Sequence, residues 1–307
     1  MQSDINKMNI THRRHTKTDM NHAQLQLIVK IADTGSFTRA GQELNMTQPA
    51  VSRAISSLEA ELDVVLFIRN RRNGVMLTDI GKRILRIFRE ILQGFEKVDQ
   101  EIAKEKGLEI GTIRIGAFPV ASAHFIPKII RCISEKYPNI EFSIYEGTIA
   151  EIKEWLETRF IDVGLLIPPV HELETFVLYR EKMFAVLRDD HPLFNQSVIR
   201  VQDLQDEPMI ICRAGFEPPV IDWFNKAGMN PREKFVVYNY NTGLNMVQEG
   251  LGMAIMSELS LFNLPPNVGV REIDPEGYRD IHIAVHSLEE SSIAVKLFIE
   301  TALQLFA

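Results

Sequence analysis

The chain has 307 residues, 45% of them hydrophobic, and a formal net charge of −7. That length calls for two or three domains, and that composition for packed cores. It contains no apolar run long enough to span a bilayer, no export signal behind the charged N-terminus, and only two cysteines, Cys132 and Cys212. These features argue against a membrane partner and a disulfide framework, so a cytoplasmic chain with reduced thiols is expected.

Charge is unevenly distributed. Residues 1–106 carry 17 Lys+Arg against 13 Asp+Glu, a net +4, and the remainder carries 17 against 28, a net −11. A positive module joined to an acidic one fits this asymmetry, although many ordinary proteins are as lopsided.

In chain order, Leu25, Ile28, Val29 and Ala32 predict an amphipathic helix that stops at Gly35. Ser36 then suits an N-cap, and Phe37, Ala40, Gly41 and Leu44 give a second helix with one buried face. Asn45 tolerates the left-handed conformation that ends it. Thr47 can cap a third helix, with Pro49 in its first turn, where a missing N–H does no harm. Val51, Ile55, Leu58 and Leu62 form the buried stripe of that third helix, and Gln48, Ser52, Arg53 and Ser56 lie opposite. Two short helices joined by a tight turn describe a helix-turn-helix, and Gln, Arg and Ser are the side chains that read base edges. The alternative is a plain helical hairpin. "LFIRNRRNGVMLT" (66–78) follows, with the two-residue hairpin signal Asn73-Gly74. Arg69, Arg71 and Arg72 beside it make either a basic wing or a charged edge strand kept from aggregating.

The stretch from Ala23 to Leu85, with "GSFTRAGQELNMTQPAVSRAISSLEAEL", then "LF.R" and "LTDIGKRIL", closely resembles the winged-helix domain of LysR-type transcriptional regulators. The order of elements resembles that family over essentially the whole chain after residue 20. The resemblance implies that Gln48, Pro49, Ser52 and Arg53 lie in or beside the major groove; Thr47, the cap through which that helix is entered, is a further candidate DNA contact. It implies that Ser36, Thr38, Arg39 and the wing residue Arg69 hold the DNA backbone, while Arg71 and Arg72, read from the hairpin alone, suit phosphates or a minor groove. Three departures stand out: Gly41 replaces a usual alanine, Asp63 a usual glycine, and the wing reads Arg-Asn-Arg-Arg-Asn-Gly. Residues 1–19 fall outside the family pattern. His12-Arg13-Arg14-His15 could be a DNA-touching arm, but a floppy extension or a start at Met8 or Met20 fits them better.

Thr78 can cap a long helix in which Ile80, Ile84, Phe88, Ile91, Phe95, Val98 and Ile102 recur at three- and four-residue intervals. Such a rod, about 40 Å long, needs a cover: a second copy of itself, or its own chain. Two copies would present two recognition helices about one DNA turn apart to a palindromic site. The resemblance implies the same homodimer, pairing of dimers into homotetramers, and RNA polymerase as a partner.

Beyond residue 110, strands and helices alternate. "GTIRIGA", "PNIEFSIYEG", "IDVGLLI", "PMIICR", "KFVVYNY", "GMAIMS" and "IHIAVHSL" read as strands, with helices at 122–136, 149–158, 218–227, 242–249 and 291–306. Near-continuous apolar strands between helices predict an open parallel sheet. The fold class is therefore mixed: an N-terminal all-α winged helix-turn-helix, a long linker helix, and a two-lobed α/β effector domain that the resemblance likens to periplasmic solute-binding proteins. The expected divisions are an extension (1–20), the DNA-binding domain (21–78), the linker and dimerisation helix (79–106), a first lobe (107–168 and 274–307) and a second lobe (169–273).

A small-molecule effector of unknown identity is expected in the crevice at the strand ends, with no cofactor and no metal. Helix N-termini nominate Ala117, Phe118, Ser122, Thr148, Ile149, Asn241 and Thr242, and strand ends at the interlobe edge nominate Ile167, Cys212 and Arg213. Each of these residues also suits an ordinary cap or core role. Phe118 and Ile149 stand where many members of the resembled family carry hydroxyls, which makes the pocket more apolar and weakens the case for a bare small carboxylate. Cys212 beside Arg213 invites a redox reading, but no resolving cysteine lies near it in sequence.

Enzyme readings fail on pattern. Gly250-Leu251-Gly252 lacks a third glycine and follows a helix, and no G-x-S-x-G or H-E-x-x-H occurs. His282 and His286 are too weak a pair for a metal site. The rival to a regulator is a solute-binding protein whose N-terminal module serves only assembly.

Overall fold

The computed structural model describes residues 20–70, 74–106, 110–213 and 217–307. The expectations for residues 1–19, Arg71, Arg72 and Asn73 lie outside them, as does the side chain of Arg69. The chain divides at Leu92 and Gln93 into two bodies.

In the first body, α1 (His22–Thr34) starts from a reciprocal cap: Gln24 N donates to Asn21 Oδ1 at 3.0 Å and Asn21 N to Gln24 Oε1 at 2.8 Å. It ends at Gly35, at φ 61°. Helices α2 (Phe37–Glu43) and α3 (Gln48–Leu62) follow. Leu25, Leu27, Ile28, Ile31, Phe37, Ala40, Val51, Ile55 and Leu58 make their common core. On α1 the buried arc is rotated from the expected one: Leu27 and Ile31 are buried while Val29 and Ala32 are only partly so, because α1 packs on α2, α3 and the wing together.

The wing strands β1 (Phe67–Asn70) and β2 (Gly74–Leu77) pair antiparallel with Asn70 opposite Gly74. Three residues therefore connect them, and the expected two-residue Asn73-Gly74 turn is corrected. Gly74 begins β2 at φ 75°, and Val75 N donates to Gly35 O at 3.1 Å. The Glu59 carboxylate accepts from Leu66 N (2.6 Å) and Phe67 N (3.1 Å), tying α3 to the wing.

Helix α4 (Asp79–Glu105) begins where Gly81 N donates to the Thr78 hydroxyl at 2.9 Å. The single seam expected along it is corrected. Leu85 and Phe88 are buried in the first body with Ile84 and Leu92 against them, and the Arg89 guanidinium pairs with Asp33. Ile87, Ile91, Phe95, Val98 and Ile102 remain exposed. The apolar pattern thus served two faces, one for the helix's own domain and one outward.

The second body contains β3 (Gly111–Ala117), α5 (Pro119–Ser134), β4 (Ile140–Glu146), α6 (Ile149–Glu157), β5 (Val163–Leu166), β6 (Glu174–Arg188), β7 (Val198–Arg200), β8 (Met209–Cys212), α7 (Glu217–Lys226), β9 (Glu233–Val237), α8 (Tyr240–Gln248), β10 (Ala254–Ser257), β11 (Val268–Asp274), β12 (Tyr278–Val285) and α9 (Ile293–Phe306). One sheet runs β4-β3-β5-β12-β6-β11-β7, with β10 also on β6, and β8 and β9 pair separately. β3 is parallel to β4 and β5, but β12 is antiparallel to β5 and β6. The sheet is therefore mixed, not the parallel one expected.

The cause is β12, which runs against β5; sequence reading also missed β6. Its first half, to Lys182, pairs with β12 along the whole of that strand, and its second half with β10 and β11. In the first lobe α6 packs over β3 and β5, and its Ile152 and Leu156 leave no room for a side chain at Gly164. The C-terminal part of α4 joins this body: Gln93 Nε2 donates to Asp162 at 3.1 Å, and Arg114 bridges Glu96 (2.5 Å) and Asp162 (3.0 Å).

Candidate nucleic-acid interface and effector cleft

The α2–α3 turn is set by close backbone approach. Asn45 is left-handed at φ 56°, and Met46 N donates to Gly41 O at 2.8 Å. A Cβ on Gly41 would lie 2.7 Å from Met46 O, so the glycine that departs from the resembled pattern is required here. Asp63, the second departure, ends α3 at φ 53°, a conformation that aspartate accepts better than most residues.

Ser36 is half-buried and caps α2, accepting from Arg39 N at 3.3 Å, while Thr38 and Arg39 stand exposed on the first turn. Thr47 caps α3 in extended geometry without a side-chain cap bond. Thr47, Gln48, Pro49, Arg53 and Ser56 are exposed and Ser52 is half-buried. Spacings of four and eight residues put Gln48, Ser52 and Ser56 in one row, with Pro49 and Arg53 in the next. This face of α3 carries an amide, hydroxyls and a guanidinium, the donors and acceptors that distinguish base pairs in a major groove. Of the wing arginines, Arg69 lies on β1.

In the second body, Ala117, Phe118, Ser122, Ile167 and Cys212 are buried, and Ile149 packs on the same core. Arg213, Asn241 and Thr242 are exposed. Two expected anion sites are already filled. At the start of α6, Thr148 N and its hydroxyl both donate to the Glu151 carboxylate at 2.8 Å. These bonds hold the Glu151 carboxyl below the usual carboxylate range. At α8 the cap is Asn239, whose Oδ1 accepts from Asn241 N (2.9 Å) and Thr242 N (3.4 Å). The expected start at Asn241-Thr242 is thereby corrected by two residues. Arg213 Nη2 lies 3.9 Å from Glu233, and no disulfide joins Cys132 and Cys212.

Sequence reading missed the charged centre of this region. Arg279 on β12 stands opposite Glu181 on β6, both side chains are fully buried, and they form an ion pair. Arg279 Nη2 also donates to Ser257 Oγ at 2.9 Å, and the guanidinium sits 5.3 Å from the centre of the Phe118 ring. Glu181 accepts from Leu259 N at 3.2 Å. Burial pulls the Arg279 pKa down, and Glu181 and Cys212 push it back. The guanidinium thus reaches the first lobe at Phe118 and the second at Ser257. The available signal was two opposite charges inside apolar strands, "REKMFAVL" and "YRDIHIAV".

His286 Nε2 bonds the Leu156 carbonyl at 2.6 Å. Among the described residues, no group of three or more His, Cys, Asp and Glu is placed to hold a metal ion, and no helix is long and apolar enough to cross a membrane.

Two family models match the chain. Bacterial regulatory helix-turn-helix protein, lysR family, covers residues 22–82, and LysR substrate binding domain covers residues 106–307. An uncharacterized HTH-type transcriptional regulator of Bacillus subtilis (strain 168), YvbU, is 57% identical over 94% of this chain and 99% of its own. A full-length OxyR variant from Pseudomonas aeruginosa is similar with a TM-score of 0.74 at 21% identity, covering 94% of this chain and 99% of that one. Full-length CbnR complexed with its target DNA gives 0.65 at 23% identity, over 93% and 99%. At those identities the two structures speak to the fold alone.

Proposed function

The chain belongs to the LysR family, as a DNA-binding transcriptional regulator with an effector-binding domain, and from that premise we propose how its residues divide the work. Gln48, Pro49, Ser52 and Arg53, entered through Thr47, read base edges in the major groove. Ser36, Thr38, Arg39 and the wing arginines Arg69, Arg71 and Arg72 hold phosphates. The observation that carries this division is the exposure of the polar face of α3 while its Val51-Ile55-Leu58 face is buried.

The exposed apolar row of α4 covers itself with a second copy, giving a dimer, or a tetramer of paired dimers, on a palindromic duplex site. The protein works in the cytoplasm, with RNA polymerase as a further partner, and performs no catalysis. A small molecule is held between the lobes at Ala117, Phe118, Ser122, Ile149, Ile167 and Cys212, and its binding alters lobe closure and the spacing of bound half-sites. Thr148, Arg213, Asn241 and Thr242 stand at the margin of this site. No cofactor or metal takes part.

A mobility-shift titration on the DNA upstream of its own gene is the test. Nanomolar binding with steep salt dependence, and much weaker binding to random DNA, is expected. Equal affinity for both would refute sequence-specific reading.

A further inference from the structure

We propose that the effector of this chain is an uncharged small molecule, and that Glu181 excludes carboxylate ligands by holding the cleft's buried guanidinium. The proposal rests on reading the space between the lobes as the effector site. Arg279 is a fully buried cation between the elements that would line that site, 5.3 Å from the Phe118 ring at the start of α5 and donating to Ser257 at the end of β10. A buried guanidinium ordinarily invites a carboxylate. Here Glu181 already occupies it, itself fully buried and held by Leu259 N.

The other anion-attracting groups around the cleft are satisfied in the same internal way. At the start of α6 the Glu151 carboxylate takes the Thr148 N–H and hydroxyl, and at the start of α8 the Asn239 side chain takes the amides of Asn241 and Thr242. The rest of the nominated lining is mostly apolar, Ala117, Phe118, Ile149, Ile167 and Cys212 beside the Ser122 hydroxyl, and Arg213 at the margin faces Glu233 at 3.9 Å. A carboxylate ligand at Arg279 would have to displace Glu181 or share the guanidinium with it. Displacement leaves the buried Glu181 carboxylate without its donors, and sharing sets two desolvated anions side by side; both are strongly disfavoured. An uncharged ligand requires neither. It needs only that the lobes part and close around it.

The full-length protein and Glu181→Gln serve as the test, with sodium acetate as probe against sodium chloride at matched ionic strength and against acetamide. Removing the resident anion leaves Arg279 seeking one. Acetate is therefore expected to raise the Tm of Glu181→Gln with an apparent Kd at least tenfold lower than for the native chain, which acetate leaves level with chloride. Equal responses of the two proteins, whether both shift or neither does, overturn the proposal. If Glu181→Gln does not fold, its refolding yield in acetate against chloride replaces Tm, and equal yields overturn it. DNA footprints of Glu181→Gln with and without acetate separate the two layers. Acetate rescue with an unchanged footprint refutes the effector-cleft reading and the proposal with it. Absence of rescue refutes the charge rule alone.

Discussion

Val98→Asp tests whether the outward row of α4 is the seam between two copies. Ile87, Ile91, Phe95, Val98 and Ile102 keep 53%, 41%, 48%, 56% and 50% of their surface exposed on one helix. With roughly half of each side chain available, the row offers about 90 Å² per residue and about 900 Å² across two copies, worth about 20 kcal/mol gross at about 25 cal/mol per Å². Association consumes about 4–15 kcal/mol of that, which still leaves a firm dimer. Val98→Asp removes about 2 kcal/mol of burial from each copy and places a carboxylate in the seam, so a loss of about 4 kcal/mol or more is expected. That is about a thousandfold in Kd. Sedimentation velocity at micromolar protein should show the particle mass halved, with far-ultraviolet circular dichroism unchanged. Glu101→Lys, an exposed polar change on the same helix, should leave the mass as it was. A Val98→Asp protein of undiminished mass would refute the seam.

Three further outcomes follow from local contacts. Gly41→Ala drives a methyl to 2.7 Å from Met46 O and should lower stability by about 1–3 kcal/mol; calorimetry showing an unchanged Tm would mean that the turn yields. Glu59→Ala strips Leu66 N and Phe67 N of their acceptor and should lower stability by about 1.5–3 kcal/mol, read by urea denaturation, with no loss if water substitutes freely. His124 stacks on Phe262, 5.2 Å between ring centres, and faces Lys128 and Glu258. Burial foremost, then Lys128, hold its pKa below 6.5, with Glu258 opposing. The folded state therefore favours neutral imidazole, so its contribution is complete above about pH 6.5 and fades as pH falls through the folded-state value. Tm measured from pH 8 to 5 should fall less in His124→Phe than in the native chain, and parallel curves would contradict this.

The sequence carried the helix-turn-helix well because its signals are local. Asn45, Thr47-Pro49 and the buried stripe of α3 each act within a turn or two, and the structure places them as expected. The seam of α4 was harder to read. Phe88 and Ile91 obey the same periodicity, yet one is buried in its own domain and the other faces outward. Periodicity records that a helix has an apolar side, not what covers it. β6 escaped because exposed and buried residues alternate irregularly along it as it passes from one lobe to the other. Arg279 and Glu181 escaped for a related reason: a charged residue in a strand reads as solvent-facing until the opposing strand is known, and that pairing joins positions 98 residues apart. The α8 start was legible in principle, since Asn239 is a good cap two residues before the chosen one.

The central claim is that the exposed face of α3 reads sequence while the α2 turn only anchors. Binding of Arg53→Ala and Arg39→Ala to a randomised set of operator variants, measured at fixed salt, tests it most directly. Arg53→Ala should lose discrimination of about 1–3 kcal/mol at one base pair of each half-site, whereas Arg39→Ala should weaken every variant alike. Identical specificity profiles for the two proteins would contradict the account.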